Sequence, residues 1–210
     1  PGADGEGLAR AMSDLCGRAS DAVAAGCDIL ILSDRGAGPA QSPIPSLLAT
    51  AGVHHHLVRE GTRARCGIVV ECGDAREVHH VCLLLGYGAG VVSPYLAIET
   101  LDDMVRQGML VSVDREKAVQ RFIQALNTGV LKVMSKMGIS TLQSYRGAQI
   151  FEAIGLSRSF VDRYFTHTTS RVSGAGIEVI ADEVRLRHER AYGAAPAGTA
   201  ELEEGGEYQW

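Results

Sequence analysis

Between Gly129 and Glu152 the chain reads GVLKVMSKMGISTLQSYRGAQIFE, and the side chains able to do chemistry are crowded there. Lys132, Ser135, Lys136, Ser140, Thr141, Gln143, Ser144 and Arg146 alternate with apolar residues. Ammonium, guanidinium and hydroxyl donors beside a predicted helix start suit a phosphate or a carboxylate. The first N–H groups of a helix lack internal partners, and its amino end carries partial positive charge. Lys132, Ser135, Lys136, Ser140, Thr141, Gln143 and Arg146 are therefore the candidate cofactor- or substrate-binding residues. The same groups would also serve as a buried polar network joining two domains, and residue chemistry alone leaves both readings open.

Other motifs point away from chemistry. Gly86-Tyr-Gly88-Ala-Gly90 looks like part of a dinucleotide fingerprint, but a helical pattern precedes it and a strand pattern follows, the reverse of what pyrophosphate binding needs. It reads as a glycine-rich helix-to-strand turn. His54-His55-His56 and His79-His80 are consecutive, so on a helix they diverge by about 100° each and do not converge on one ion. Asp102 and Asp103 diverge likewise and read as a solvated face. No GxSxG elbow is present, and no Cys sits beside a His in a way that a helix or strand would hold in reach. No catalytic set and no metal site emerge.

The elements that must position the polar segment follow from periodicity. Leu8, Met12, Leu15 and Ala19 form one stripe of a helix from Leu8 to Ala25, stopped by Gly26. Asp28-ILIL-Ser33 reads as a strand buried on both faces. Pro43 and Pro45 open a helix through Val58, and Gly67-IVV-Glu71 is a second strand. Asp74 and Glu77 predict a capping box for a helix carrying Val78, Val81, Cys82 and Leu85 inward. Gly90 to Ser93 is a third strand, followed by helices over Leu96–Gln107 and Asp114–Leu131. Short buried strands alternating with helices imply parallel pairing through right-handed crossovers, hence an α/β fold, barrel or open sheet. Ligands would then approach the carboxyl ends of the strands, at Ser33-Asp34-Arg35, Glu71-Cys72-Gly73 and Ser93-Pro94-Tyr95. The plain alternative is that Asp34 and Arg35 pair with each other or cap the next helix.

Ser140 with Gln143 predicts a second capping box and a helix from Thr141 to Ala153, ended by Gly155. A short helix over Arg158–Phe165, a loop from His167 to Gly176 and an amphipathic helix over Ile177–Ala191 follow. The stretch GAAPAGTAELEEGGEYQW has no periodicity and reads as a linker.

Composition bounds the classes. At 210 residues with 46% hydrophobic content the chain can bury a core, and its longest apolar runs fall far short of the roughly 20 residues that span a bilayer. The opening PGADGEG is unlike a signal peptide. A net charge of −5 with scattered basic residues gives no case for nucleic acid. Cys16, Cys27, Cys66, Cys72 and Cys82 contain no CxxC pair and read as reduced core thiols of a cytoplasmic protein.

The strings LKVMSKMGISTLQSYRGAQIFEAIGL, ILILSDRG, PIPSLLATAGVHHHLVREG, VVECGDAREVHH and GYGAGVVSPYLAIETL closely resemble the large subunit of glutamate synthase, over nearly all of Asp28 to Tyr192. The resemblance implies parallel βα repeats forming a partial, rudimentary TIM-like barrel, followed by a mainly helical segment leading into an FMN barrel. It implies residues 1–128 as part of the central domain and 129–210 as the start of the FMN-binding synthase domain. Such enzymes make L-glutamate from glutamine-derived ammonia, which travels an internal tunnel, and 2-oxoglutarate, by FMN-mediated reductive transfer. An iron–sulfur cluster sits beside the FMN. Residue 1 is Pro where the family's glutaminase has its Cys nucleophile, and the five cysteines match none of the cluster positions. The resemblance therefore implies that FMN and the iron–sulfur cluster belong to the full-length parent, with none bound by this chain alone, which would be inactive by itself. Its partners would be the amidotransferase, FMN and C-terminal domains of the same polypeptide, with a small reductase subunit as a further one. The segment would scaffold the ammonia path and border the synthase site, or else act as a structural connector with no ligand contacts.

Overall fold

The computed structural model describes residues 5–193. Helix α1 (Gly5–Ala24) leads into β1 (Ile29–Ser33), α2 (Ser46–Arg59), a single 3-10 turn (Arg63–Arg65) and β2 (Gly67–Glu71). Then come α3 (Val78–Gly86), β3 (Val91–Ser93), α4 (Tyr95–Arg106) and α5 (Arg115–Lys136). The chain continues through α6 (Leu142–Tyr145), β4 (Glu152–Leu156), α7 (Arg158–Tyr164), β5 (Thr169–Ala175) and α8 (Ile177–Tyr192).

Strands β1, β2 and β3 pair in parallel in sequential order, with Leu30 opposite Ile68 and Val70 opposite Val92. Sequential order means each crossover winds the same way, which places the crossover helices on one face. Leu30, Ile68 and Val70 are buried with Val23 of α1, Leu57 of α2, Val81 and Leu85 of α3, and Leu126, Val130 and Met134 of α5. The other face is open among the described residues: Ile29, Ile31 and Val91 are 63%, 65% and 54% exposed. The expectation of β1 buried on both faces is therefore corrected to one, because the helices packed here cover a single side. A second apolar cluster joins Leu8 and Met12 of α1, Leu48 of α2, Phe160 and Tyr164 of α7, and Ala181 of α8. The expectation of core thiols is corrected for Cys27, which is exposed on the connection between α1 and β1.

Three local expectations change. The helix predicted from Thr141 to Ala153 is only the single turn α6, because Gly147 (φ 68°) and Gln149 (φ 54°) take left-handed conformations that a right-handed helix excludes. Its cap is Thr141, whose Oγ1 accepts the Ser144 N–H at 3.2 Å, rather than Ser140. The loop predicted over 167–176 contains β5, which pairs in parallel with β4 through the crossover α7. Asp74 does not cap α3; its Oδ2 accepts the Ser46 N–H at 3.1 Å at the start of α2, and Glu77 holds the cap position without a side-chain bond. Residue 128 lies inside the continuous helix α5. Most of the predicted linker, residues 194–210, lies outside the described residues.

Candidate functional site

The candidate residues occupy the end of α5 and the turn after it. Lys132 and Lys136 stand one helical turn apart on α5, with Ser135 beside them, and all three are exposed. Ser140, Thr141 and Gln143 are exposed around the start of α6. Thr141 is occupied as a cap and also donates its hydroxyl to Ser144 Oγ at 2.9 Å. All six of these donors are exposed, three on α5 and three around the start of α6. The field expected of a helix amino end is missing, since a four-residue helix has few aligned peptide dipoles. Lys136 instead lies in the last turn of α5, where its charge complements the carboxyl end of that helix. Leu131 and Met137 flank these residues at 65% and 52% exposure.

Arg146 differs from the other six. It follows α6 and is half-buried, and its Nη2 lies 3.4 Å from where a Cβ on Gly90 would sit. Its Nε is buried with no hydrogen-bond partner among the described residues. On the far side of the Gly88–Gly90 turn stands Arg63, which sequence reasoning passed over. Its Nη2 donates to the Gly88 carbonyl at 2.8 Å, its Nη1 to the Cys66 carbonyl at 2.6 Å and its Nε to His54 Nδ1 at 2.9 Å. Gly88 (φ 118°) is required there, because a Cβ would meet the His54 ring at 2.4 Å. The predicted turn after α3 is present, and no local pattern signals that it is also a platform for two arginines.

The carboxyl ends of the strands are occupied by each other's side chains. Arg35 Nε contacts Glu71 Oε1 at 2.7 Å, and its Nη1 contacts Glu99 Oε1 at 3.0 Å. Its guanidinium lies 4.0 Å above the Tyr95 ring. Hydrogen bonds from Ser33 and Arg35 hold the Glu71 carboxylate below its ordinary range. Asp34 Oδ2 accepts the Gly73 N–H at 2.9 Å. Asp34 and Arg35 thus neither pair with each other nor cap α2, as a reading of neighbours in sequence suggested; β2 supplies closer partners. Burial and Asp34 push the Tyr95 hydroxyl up to about 12, and burial with Asp74 pushes the Cys72 thiol up to about 12. Beside these groups a cleft of about 560 Å³ opens between α1, α8 and the 36–43 loop, with Asp14, Arg18 and Ser33 among its walls.

The histidines diverge as expected. His54 bonds to Arg63, His55 meets the Tyr87 ring edge-on at 6.5 Å, and His56 Nε2 lies 2.8 Å from Ser20 Oγ. Burial pushes His54 and His55 down to about 4, helped by His55 and the nearby arginines at His54 and by Arg59 and His167 at His55. Asp102 and Asp103 pair with Arg115 and Arg106 on an exposed helix face. Among the described residues no group of three or more His, Cys, Asp or Glu side chains is arranged to hold a metal ion, and no helix is long and apolar enough to cross a membrane.

The family model for the glutamate synthase central domain matches residues 2–157. The chain belongs to that family. It is 46% identical over 205 residues to the glutamate synthase [NADPH] large chain of Bacillus subtilis (strain 168), covering 98% of this chain and 13% of that one. It is 49% identical over 187 residues to the glutamate synthase [NADH] of Schizosaccharomyces pombe, covering 89% of this chain and 9% of that one. The chain therefore spans about an eighth or less of these relatives, one named for NADPH and the other for NADH. Among solved structures, a mutant flavocytochrome b2 with pyruvate bound is similar at a TM-score of 0.47 and 15% identity, over 90% of this chain and 40% of that one.

Proposed function

We propose that this chain acts as the central-domain segment of a cytoplasmic glutamate synthase large chain that makes L-glutamate from glutamine-derived ammonia and 2-oxoglutarate. The observation that carries the reading is the family match over residues 2–157, together with near-complete coverage of this chain by glutamate synthases. In this reading the singly wound sheet β1-β2-β3 is part of a rudimentary barrel, and residues from 129 onward begin the FMN-binding domain. FMN and an iron–sulfur cluster would be held by other domains, and FMN would supply reducing equivalents there. The amidotransferase, FMN and C-terminal domains, and a small reductase subunit, are the partners.

The residues of this chain fit an anionic edge of that site better than its metal. Exposed Lys132, Ser135, Lys136, Ser140, Thr141 and Gln143, with Arg146 at the buried end, offer donors to a phosphate or carboxylate. The cysteines do not fit a cluster: Cys66, Cys72 and Cys82 are buried among apolar side chains. By itself the chain neither hydrolyses glutamine nor reduces an imine; it walls the ammonia path and positions the catalytic domains. One observation favours the alternative of a connector without ligand contacts: Leu131 and Met137 beside the lysines suit docking against a neighbouring domain.

Replacing Lys132 and Lys136 with Ala in the full-length enzyme decides between them. If they border the site, the KM for 2-oxoglutarate or the Kd for FMN rises about tenfold, as the loss of about 1.4 kcal/mol implies. Unchanged constants with a normal melting temperature refute ligand contact.

A further inference from the structure

We propose that Arg63 and Arg146 form a two-guanidinium clamp for a small oxyanion, a phosphate or a carboxylate, at the Gly88–Gly90 turn on the amino end of the parallel sheet. This site lies at the opposite end of the strands from the 560 Å³ cleft and holds whether or not the exposed lysines meet a cofactor.

Three observations support the clamp. First, the two guanidiniums sit at the two ends of one tripeptide, Arg63 Nη2 on the Gly88 carbonyl at 2.8 Å and Arg146 Nη2 against Gly90. Second, neither has an acidic partner among the described residues. Among the described residues the Arg63 side chain donates only to two carbonyls and a histidine nitrogen, and the Arg146 side chain makes no hydrogen bond or ion pair. Both guanidiniums are half-buried, and a charge drawn partly out of water without a counter-charge carries a desolvation penalty. Here two like charges share one neighbourhood, and each raises the cost of the other. An oxyanion between them removes both penalties, and guanidinium forks match its geometry.

Third, the groups bonded to Arg63 are two carbonyls and a histidine nitrogen, none of them an anion. Because Arg63 Nε donates to His54 Nδ1, that nitrogen is an acceptor and the neutral His54 ring carries its proton on Nε2. Gly90 has no side chain and is exposed, so the turn meets solvent at that residue, while Gly88 and Ala89 are buried. Of the five N–H groups that a guanidinium carries, Arg63 retains about two and Arg146 all five for a ligand.

The clamp is tested on the 210-residue chain with inorganic phosphate, with acetate as the carboxylate arm and chloride at equal ionic strength as the control. Binding moves the Nε–Hε resonance of Arg146, and at ten times Kd it raises the melting temperature by about 4 °C. Arg146→Gln weakens that binding at least about tenfold. The preferred arm, phosphate or acetate, identifies the ligand class. An Arg146 resonance that ignores both anions, or a phosphate effect undiminished in a folded Arg146→Gln chain, overturns the proposal. If the variant does not fold, the resonance in the unaltered chain decides alone.

Discussion

Gly129 lies in the middle of α5, where helix propensity argues for its replacement and packing argues against it. Gly→Ala in a helix interior gains about 1 kcal/mol from backbone entropy. A methyl at residue 129, however, would lie 2.3 Å from Val78 Cγ2, 2.9 Å from Cγ1 and 3.1 Å from Cβ. Carbon atoms prefer about 3.5–4.0 Å, so two methyl groups must retreat by roughly an ångström. Val78 opens α3, and a helical valine has one strongly preferred rotamer, so relief requires α3 and α5 to separate. Overpacking of this kind costs about 1–3 kcal/mol. Gly129→Ala should therefore destabilise the chain by up to about 2 kcal/mol. In a Val78→Ala background both clashing atoms are gone, and the same substitution should stabilise by up to about 1 kcal/mol. Urea unfolding of the four chains, read as midpoint shifts at constant slope, measures the cycle. The packing argument fails if Gly129→Ala stabilises the chain that keeps Val78, or if its effect is the same in both backgrounds.

Two further outcomes follow from the buried titratable groups. His54 and His55 are held down to about 4 in the folded chain against an ordinary 6.5. The unfolded chain therefore binds more protons between those values, so stability should fall as pH drops from about 6.5 toward 4, and His54→Gln should shallow that slope in urea titrations. Thiol labelling of the native chain at pH 8 should reach exposed Cys27 first. Cys72, buried and raised to about 12, should react only at the rate of unfolding; rapid native labelling of Cys72 would contradict its burial.

The sequence was most legible where a segment's own pattern decides its state. The runs at 28–33, 67–71 and 90–93 became parallel strands, and the stripe Leu8, Met12 and Ala19 is buried in α1. It was least legible after Arg146. β4 leaves Ile154 75% exposed and β5 leaves Val172 54% exposed, so neither strand shows the alternation that burial of one face imposes. The helix predicted there was stopped by backbone geometry at Gly147 and Gln149, and a left-handed glutamine has no signature in composition. Of the candidate site, the six exposed donors lie close together in the chain itself and so could be named from the sequence. The place of Arg146 was not, since its nearest partners come from residues 54, 63 and 90, brought close only by the fold.

Parallel sheets usually take ligands at the carboxyl ends of their strands because the loops there present free donors and acceptors. In this chain the donors there are already used, and Asp34 Oδ1, left without a partner among the described residues, is an acceptor that offers an anion nothing. Arg35 is shared by Glu71 and Glu99, Asp34 accepts from Gly73, and Ser33 donates to Glu71. A ligand arriving at that end would have to displace ion pairs that cross from β1 to β2 and α4. At the amino end the balance is reversed: Arg63 and Arg146 bring two positive charges to one glycine turn, and among the described residues the only ring bonded to either is a histidine that burial keeps neutral. Uncompensated charge, rather than position in the fold, is what a site has to offer an anion. By that criterion the amino end of this sheet is the stronger anion site, although the general rule for parallel folds directs attention to the other end.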